Sequence, residues 1–281
     1  MPNNIKNILI SIVVLLICFF FMVSCSAPVK QVNKKFKWPR QSFVKVEHRI
    51  FTLTPACVPD DPSDVYSKCY TSESAGNGSG AIVARSKSGS YIITAGHVCS
   101  KEGVEPKLNV NVYPAGDNDK RAFYVYDLDL FKYHAEILSY DNDEDLCLMY
   151  VWGLFGKPLK ISKKPPRPGD IAYNMAAPGG LFQKNMVPLF QGRFSGEYNN
   201  YHHGKKFLYT IPVMGGASGS PILNKKGALI GIVSAGNMRF HHIMLGTRYS
   251  DTVSFITYHI KSDIKKRLGT IELNYKYITF R

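Results

Sequence analysis

Hydrophobic and polar residues alternate along this chain in three modes. The first is a nearly unbroken apolar run over residues 8–23, interrupted by Ser11 alone and preceded by Lys6. The second begins near residue 76, where short apolar runs are separated by Gly, Asn, Asp and Pro. These runs are 80–84, 91–94, 108–113, 122–126, 135–139, 146–151, 171–176, 206–211, 221–223 and 228–234. Short runs with turn residues between them predict an all-β barrel or sandwich, with 80–84 and 91–94 paired as a hairpin around residues 86–90. The third mode is helical. Val253, Ile256, Ile260, Ile264 and Leu268 recur at spacings of 3, 4, 4 and 4, one apolar stripe on a helix. Asp251 suits its start and Gly269 its end, and Lys265, Lys266 and Arg267 suit the negative end of its dipole. Residues 163–168, Lys-Lys-Pro-Pro-Arg-Pro, read as a linker between two halves of the β region.

Composition narrows this without changing it. An apolar share of 45% across 281 residues excludes wholesale disorder. The charge matters more: 35 basic against 21 acidic residues, net +14, asks for an anionic partner such as nucleic acid, an acidic membrane face or an acidic substrate. The N-terminus favours the membrane. A short basic n-region and an apolar h-region end in Met22-Val23-Ser24-Cys25-Ser26, which resembles a bacterial lipoprotein signal with Cys25 as the lipidated residue. An uncleaved anchor and an ordinary cleaved signal are the alternatives. All three put the rest of the chain outside the cytoplasm, facing the periplasm or the cell exterior. Lys30, Lys34, Lys35, Lys37, Arg40, Lys45 and Arg49 follow, against Glu47 alone. So basic a tract beside an anchor reads as a tether near anionic headgroups. No interleaved motif supports nucleic acid as a partner.

Of six cysteines, Cys18 and Cys25 belong to the N-terminal segment, and Cys57, Cys69, Cys99 and Cys147 allow three pairings. Cys57 and Cys69 bracket the polar loop 58–68, and in an oxidising compartment that pair is expected to bridge, stabilising by roughly 2–4 kcal/mol. The redox state of Cys99 and Cys147 stays open.

Three segments carry candidate chemistry. Ile93-Thr94-Ala95-Gly96-His97-Val98 ends an apolar run in a small-residue turn with a histidine. Asp145-Leu146-Cys147-Leu148 opens an apolar run with an aspartate. Gly215-Gly216-Ala217-Ser218-Gly219-Ser220-Pro221 sets a serine in a glycine-rich turn before a strand. Each alone is ordinary in a β protein. Together, in the order His, Asp, Ser, they resemble the catalytic motifs of the chymotrypsin-like serine peptidases. The match is closest to the bacterial branch of glutamyl endopeptidases and Deg-type proteases. Gly78-Ser79-Gly80-Ala81-Ile82-Val83 is similar to that branch's opening strand. Pro168-Gly169-Asp170 and Ala177-Pro178-Gly179 resemble the start of its second barrel. Ser218 through Asn224, followed by Leu229 through Val233, is similar to its run from nucleophile to pocket wall.

The resemblance implies two six-stranded antiparallel β-barrels with a C-terminal helix, and peptide-bond hydrolysis through an acyl-enzyme. Physical chemistry assigns the parts. A serine hydroxyl needs an adjacent base near neutral pH, and His97 is the candidate. An ordinary imidazole titrates near 6.5, so such chemistry needs neutral or alkaline conditions. Asp145 would fix the imidazole tautomer, Ser218 would attack, and the N–H groups of Gly216 and Ser218 would form the oxyanion hole.

Departures refine the expectation. Ala217 stands where digestive members carry an Asp that pairs with a newly cleaved N-terminus, so activation of that kind is not expected; most of the bacterial branch has Asn there. Pro212 and Val213 occupy one wall of the specificity pocket and Val233-Ser234-Ala235-Gly236 the other. Val233 replaces the histidine of glutamyl endopeptidases, so a small or medium apolar residue is expected on the acyl side of the cleaved bond. The free edge of Ser234 to Gly236 suits a substrate strand. The acidic stretch Asp141-Asn142-Asp143-Glu144-Asp145 lacks the glycine of a calcium loop and reads as a turn. The pairs His202-His203 and His241-His242 read as loop residues rather than metal ligands.

The organisation expected is a signal or anchor over 1–25, a basic tether over 26–49, a peptidase domain over 50–269 divided near 163–168, and a tail over 270–281. The partner is a protein or peptide substrate, with no metal or organic cofactor; the sequence is silent on oligomeric state. The alternative is a non-catalytic peptide- or partner-binding protein that keeps the fold. Its mark would be loss of a triad residue, and all three are present.

Overall fold

The continuous apolar character of two short strands explains how the molecule is layered. In Tyr91-Ile92-Ile93 and in Leu146 through Val151, successive side chains point to opposite faces, and both faces are buried. Ile92, Cys147, Met149 and Val151 fill the inside of the first barrel. Their neighbours Tyr91, Ile93, Leu146, Leu148 and Tyr150 face outward into a second cluster, which they share with Met175, Leu223, Ile232, Phe255, Ile256 and Ile260. The seam between the barrels is therefore as apolar as their interiors.

The structure is a computed structural model and describes residues 36, 38–53, 70–99, 120–200, 204–237 and 240–268. The apolar run 8–23, Cys25, the tether up to residue 35, Cys57, Cys69, the expected strand 108–113, His202, His203 and the tail lie outside the described residues. Among those described, no helix is long and apolar enough to cross a membrane.

The first barrel is built from β1 (Phe43–Leu53), β2 (Tyr70–Arg85), β3 (Gly89–Thr94), β4 (Lys120–Tyr126), β5 (Lys132–Asp141) and β6 (Leu146–Trp152). A one-turn helix, α1 (Gly96–Cys99), follows β3. The strands close antiparallel in the order β1-β2-β3-β6-β5-β4. The second barrel contains β7 (Ile171–Met175), β8 (Leu189–Asn200), β9 (Gly204–Tyr209), β10 (Pro221–Asn224), β11 (Leu229–Gly236) and β12 (Met244–Gly246), closed in the order β10-β11-β12-β9-β8-β7. The helix α2 (Tyr249–Leu268) then packs Phe255, Ile256 and Ile260 into the seam; of the expected stripe, Ile256 and Ile260 are buried there and Ile264 is partly buried against the same cluster, while Val253 is half-exposed. The all-β reading of two six-stranded barrels with a C-terminal helix holds, and the expected 80–84/91–94 hairpin is present as Ala81↔Ile93 and Ile82↔Ile92.

One boundary needs correction. The first barrel begins at Phe43, inside the stretch assigned to the tether. Phe43, Val44 and Val46 are core residues, and Glu47 is buried with Arg49 Nε at 2.9 Å and the Tyr126 hydroxyl as partners. Lys45 and Arg49 are thus strand residues, not tether charges. The segment leading into the expected 163–168 linker touches both barrels: the Leu159 N–H donates to Ile82 O at 2.8 Å and the Ser162 N–H to Leu229 O at 2.9 Å.

Candidate active site

His97 and Asp145 meet because β3 and β6 are neighbours. Thr94, the last residue of β3, pairs with Cys147 near the start of β6, so the turn leaving one strand lies beside the turn entering the other. Gly96 permits the close approach. A Cβ there would sit 2.5 Å from Asp141 O and 2.9 Å from Leu146 N. The His97 backbone N–H donates to Asp145 Oδ1 at 2.9 Å, and the ring Nδ1 lies 2.9 Å from Oδ1 and 3.1 Å from Oδ2. The imidazole is anchored twice to one carboxylate while its side chain stays 45% exposed.

Asp145 is 9% exposed and adopts φ 57°, a left-handed conformation uncommon for a non-glycine residue. Across the seam, the Ser234 hydroxyl donates to Asp145 Oδ2 at 2.5 Å. Burial alone pushes this carboxyl up. The hydrogen bond and charge of His97, with the Ser234 hydroxyl, outweigh burial and hold it below the ordinary aspartate range. The acidic stretch is the turn expected: Asp141 Oδ1 accepts the N–H groups of Asp143 at 2.9 Å and Glu144 at 3.0 Å, spending its carboxylate on its own backbone.

A disulfide ties the same two turns. Cys99 and Cys147 each stand two residues beyond His97 and Asp145, and they are bonded, with Cα atoms 6.3 Å apart. This settles the redox state that the sequence left open.

The glycine-rich turn carrying Ser218 needs its glycines at two positions. Gly216 has φ 90°, and a Cβ there would meet Ala177 O at 2.5 Å. Gly219 has φ 82° and is pressed against the first barrel, where a Cβ would lie 2.0 Å from Thr94 Oγ1 and 2.7 Å from Ala95 N. The Ser218 turn therefore lies on the end of β3 that leads into His97. The Gly179 N–H donates to Gly215 O at 2.6 Å. In a trans peptide the carbonyl and the following N–H point in opposite directions, so this bond aims the Gly216 N–H away from Gly179.

Ser79, in the Gly78-Ser79-Gly80 segment of β2, ties these parts together. Its N–H donates to Ser218 O at 2.8 Å. Its hydroxyl donates to Gly216 O at 2.8 Å and accepts the Ala177 N–H at 3.0 Å. Its carbonyl accepts from Thr94 Oγ1 at 2.8 Å. Sequence reading found the segment but not this job, which follows from the barrel contact rather than from any local pattern.

The expected pocket residues separate. Val233 is buried with the second barrel's interior, and the Ser234 side chain turns to Asp145. Val213 and Gly236 do come together: a Cβ on Gly236 would lie 2.7 Å from Val213 Cγ1. Pro212 precedes Val213, whose N–H donates to His241 O at 2.9 Å. Beyond Val233 the β11 backbone pairs with β12, through Ala235↔Leu245 and Gly236↔Met244. Its pairing with β10 runs only over Leu229, Gly231 and Ile232. His241 and His242 sit on an exposed turn.

The chain matches the trypsin-like peptidase domain family over residues 78–232, more than half its length. No curated protein sequence matches it. Among solved structures, the active form of the Rv3671c protease from M. tuberculosis is similar at 16% identity and a TM-score of 0.49, over 86% of this chain and 85% of that one. With the closed barrels and the site geometry, the match over residues 78–232 means that this chain belongs to the trypsin-like peptidase domain family.

Proposed function

We propose that the chain is a serine endopeptidase with His97, Asp145 and Ser218 as its triad. The observation that carries the reading is the His97 ring held at 2.9 Å by a buried carboxylate, beside a glycine-bracketed serine turn packed on the same strand end. His97 Nε2 takes the Ser218 proton as Oγ attacks the scissile carbonyl. The carbonyl oxygen becomes an oxyanion that accepts from the N–H groups of Gly216 and Ser218. As the intermediate collapses, the imidazolium gives its proton to the leaving amine. Water, deprotonated by the same imidazole, then releases the acyl group from Ser218. Asp145 stabilises the imidazolium in both steps.

The contact between Val213 and Gly236 supports a shallow pocket taking a small apolar side chain on the acyl side of the cleaved bond. The edge of β11 beyond Val233 suits an extended substrate backbone. Within the family, the Gly78-Ser79-Gly80 strand favours the bacterial branch of glutamyl endopeptidases and Deg-type proteases, without glutamate selection. The apolar segment and Cys25 favour a membrane-tethered enzyme facing the periplasm or cell exterior, with the basic residues up to Lys35 as its tether.

A fluorophosphonate probe tests the reading at mildly alkaline pH. Wild-type protein is expected to be labelled at Ser218, and Ser218→Ala not at all. An unlabelled wild type, or equal labelling of Ser218→Ala, would mean a protein that keeps the fold for binding alone.

A further inference from the structure

Lys206 is a lysine that sequence gives no reason to single out, yet it is 1% exposed. It lies on β9 in the second barrel and reaches across to the turn that presents Asp145. Its Nζ donates to Asp143 O at 3.2 Å and to Glu144 O at 3.0 Å, the two carbonyls immediately before that residue. The turn is thus capped at both ends like a short helix, by the Asp141 carboxylate on its leading N–H groups and by an ammonium on its last carbonyls. The residue that follows is Asp145, held at φ 57°, a backbone state that persists only where its surroundings over-determine it.

The charges around the ammonium come from three elements. From the turn come Asp145 and Glu144; from the start of α2, Asp251; and just before α2, Arg248, which pairs with Asp251 at 2.5 Å and with Glu144 at 3.5 Å. His97 Nδ1 holds the same Asp145 carboxylate at 2.9 Å. Burial pushes Lys206 below the ordinary lysine range, while Asp145, Glu144 and Asp251 pull it back. Burial and Asp251 push Glu144 up.

We propose that Lys206 is a positioning residue for the reaction: its ammonium clamps the Asp143 and Glu144 carbonyls, fixes the turn that presents Asp145 to His97, and offsets part of the Asp145 charge. This rests on the triad reading. The proposal has a geometric consequence, a lower rate when the clamp is lost. It also has an electrostatic one. A cation near the His97–Asp145 pair disfavours the imidazolium, so its removal moves the acid limb of the rate profile to higher pH.

The test measures fluorophosphonate labelling rate against pH for the full chain and for Lys206→Met, Lys206→Gln and Lys206→Arg, with melting temperatures alongside. Lys206→Met is expected to react at least tenfold more slowly, with its acid limb raised by about half a pH unit or more. Lys206→Gln keeps hydrogen bonds to the carbonyls without the charge. It should recover part of the rate while its limb stays raised, and it serves alone if Lys206→Met does not fold. Lys206→Arg should return the limb to the wild-type position. A limb unmoved in both neutral variants, or a rate loss that merely follows melting temperature, overturns the proposal. Wild type that does not react overturns the triad reading and this inference together, whereas reactive wild type matched by every Lys206 variant overturns this inference alone.

Discussion

Ser79→Ala deletes one oxygen atom that two loops share. The hydroxyl donates to Gly216 O at 2.8 Å and accepts the Ala177 N–H at 3.0 Å, and Ser79 itself is 0% exposed. Alanine fills nearly the same space, so packing is kept and two backbone groups lose their partner. Orphaning a buried polar group costs about 1–3 kcal/mol. With partial relaxation the expected loss of stability is about 2–4 kcal/mol, a large share of the roughly 5–15 kcal/mol typical of a domain. Activity should fall as well. Removal of a whole oxyanion donor costs roughly 10²–10³ in rate. Here the Gly216 N–H is only loosened, because Gly179 still holds the preceding carbonyl, so about tenfold in kcat is expected with KM little changed. Urea unfolding followed by tryptophan fluorescence gives the first number, and hydrolysis of an activated ester the second. Ser195→Ala, at an exposed position of β8, is the control and should stay within about 0.5 kcal/mol. A Ser79→Ala protein as stable and as fast as the control would refute the idea that this hydroxyl organises the site.

Four further outcomes can be checked. Cys99→Ser with Cys147→Ser opens a cross-link of sequence separation 48, and loop-closure entropy sets the loss at about 4 kcal/mol as an upper figure; a midpoint unchanged in urea sinks this estimate. Asp145→Asn should lower kcat by about 10⁴ by favouring the wrong imidazole tautomer, and wild-type activity in the variant would exclude Asp145 from the reaction. The folded-state pKa of Asp145 is depressed, so its stabilising contribution is present above the unfolded value near 4 and is lost as pH falls through the folded value. Acid titration of unfolding free energy should therefore be shallower in Asp145→Asn than in wild type below about pH 4, and equal slopes would contradict it. Val213→Gly should widen cleavage of a peptide library from small toward larger apolar residues, and an unchanged profile would remove Val213 from the pocket.

The strands that were legible in sequence are those whose side chains meet only apolar surroundings. Tyr91-Ile92-Ile93 and Leu146 through Val151 announce themselves because both faces are buried. By contrast β1 hides behind Lys45, Glu47, His48 and Arg49: Glu47 and His48 are buried, and Glu47 is satisfied by Arg49 two residues on and by the Tyr126 hydroxyl of the neighbouring β4. The three residues of β12 are too few to show a period, and β8 carries Gly192, Gly196 and exposed polar residues. The proposed triad residues His97, Asp145 and Ser218 stand out in the chain because each sits in a local motif. Their support does not. Ser234 reaches Asp145, Ser79 reaches Gly216 and Lys206 reaches Glu144 only once the barrels are in contact, and nothing in the chain near those residues encodes the partner. The Cys99–Cys147 bond was hidden for a related reason, since it depends on β3 lying beside β6.

The seam has a consequence for how the chain comes into being. Both members of the His97–Asp145 pair, and the disulfide beside them, belong to the barrel that is made first. Ser218, Ser234 and Lys206 all arrive from the one made second. On the triad reading, a half-built or half-opened molecule holds a base without a nucleophile, or a nucleophile without a base. The joining of the barrels is then itself the switch that turns chemistry on. On that reading, a chain whose two barrels have not yet met cannot cut its neighbours while it folds.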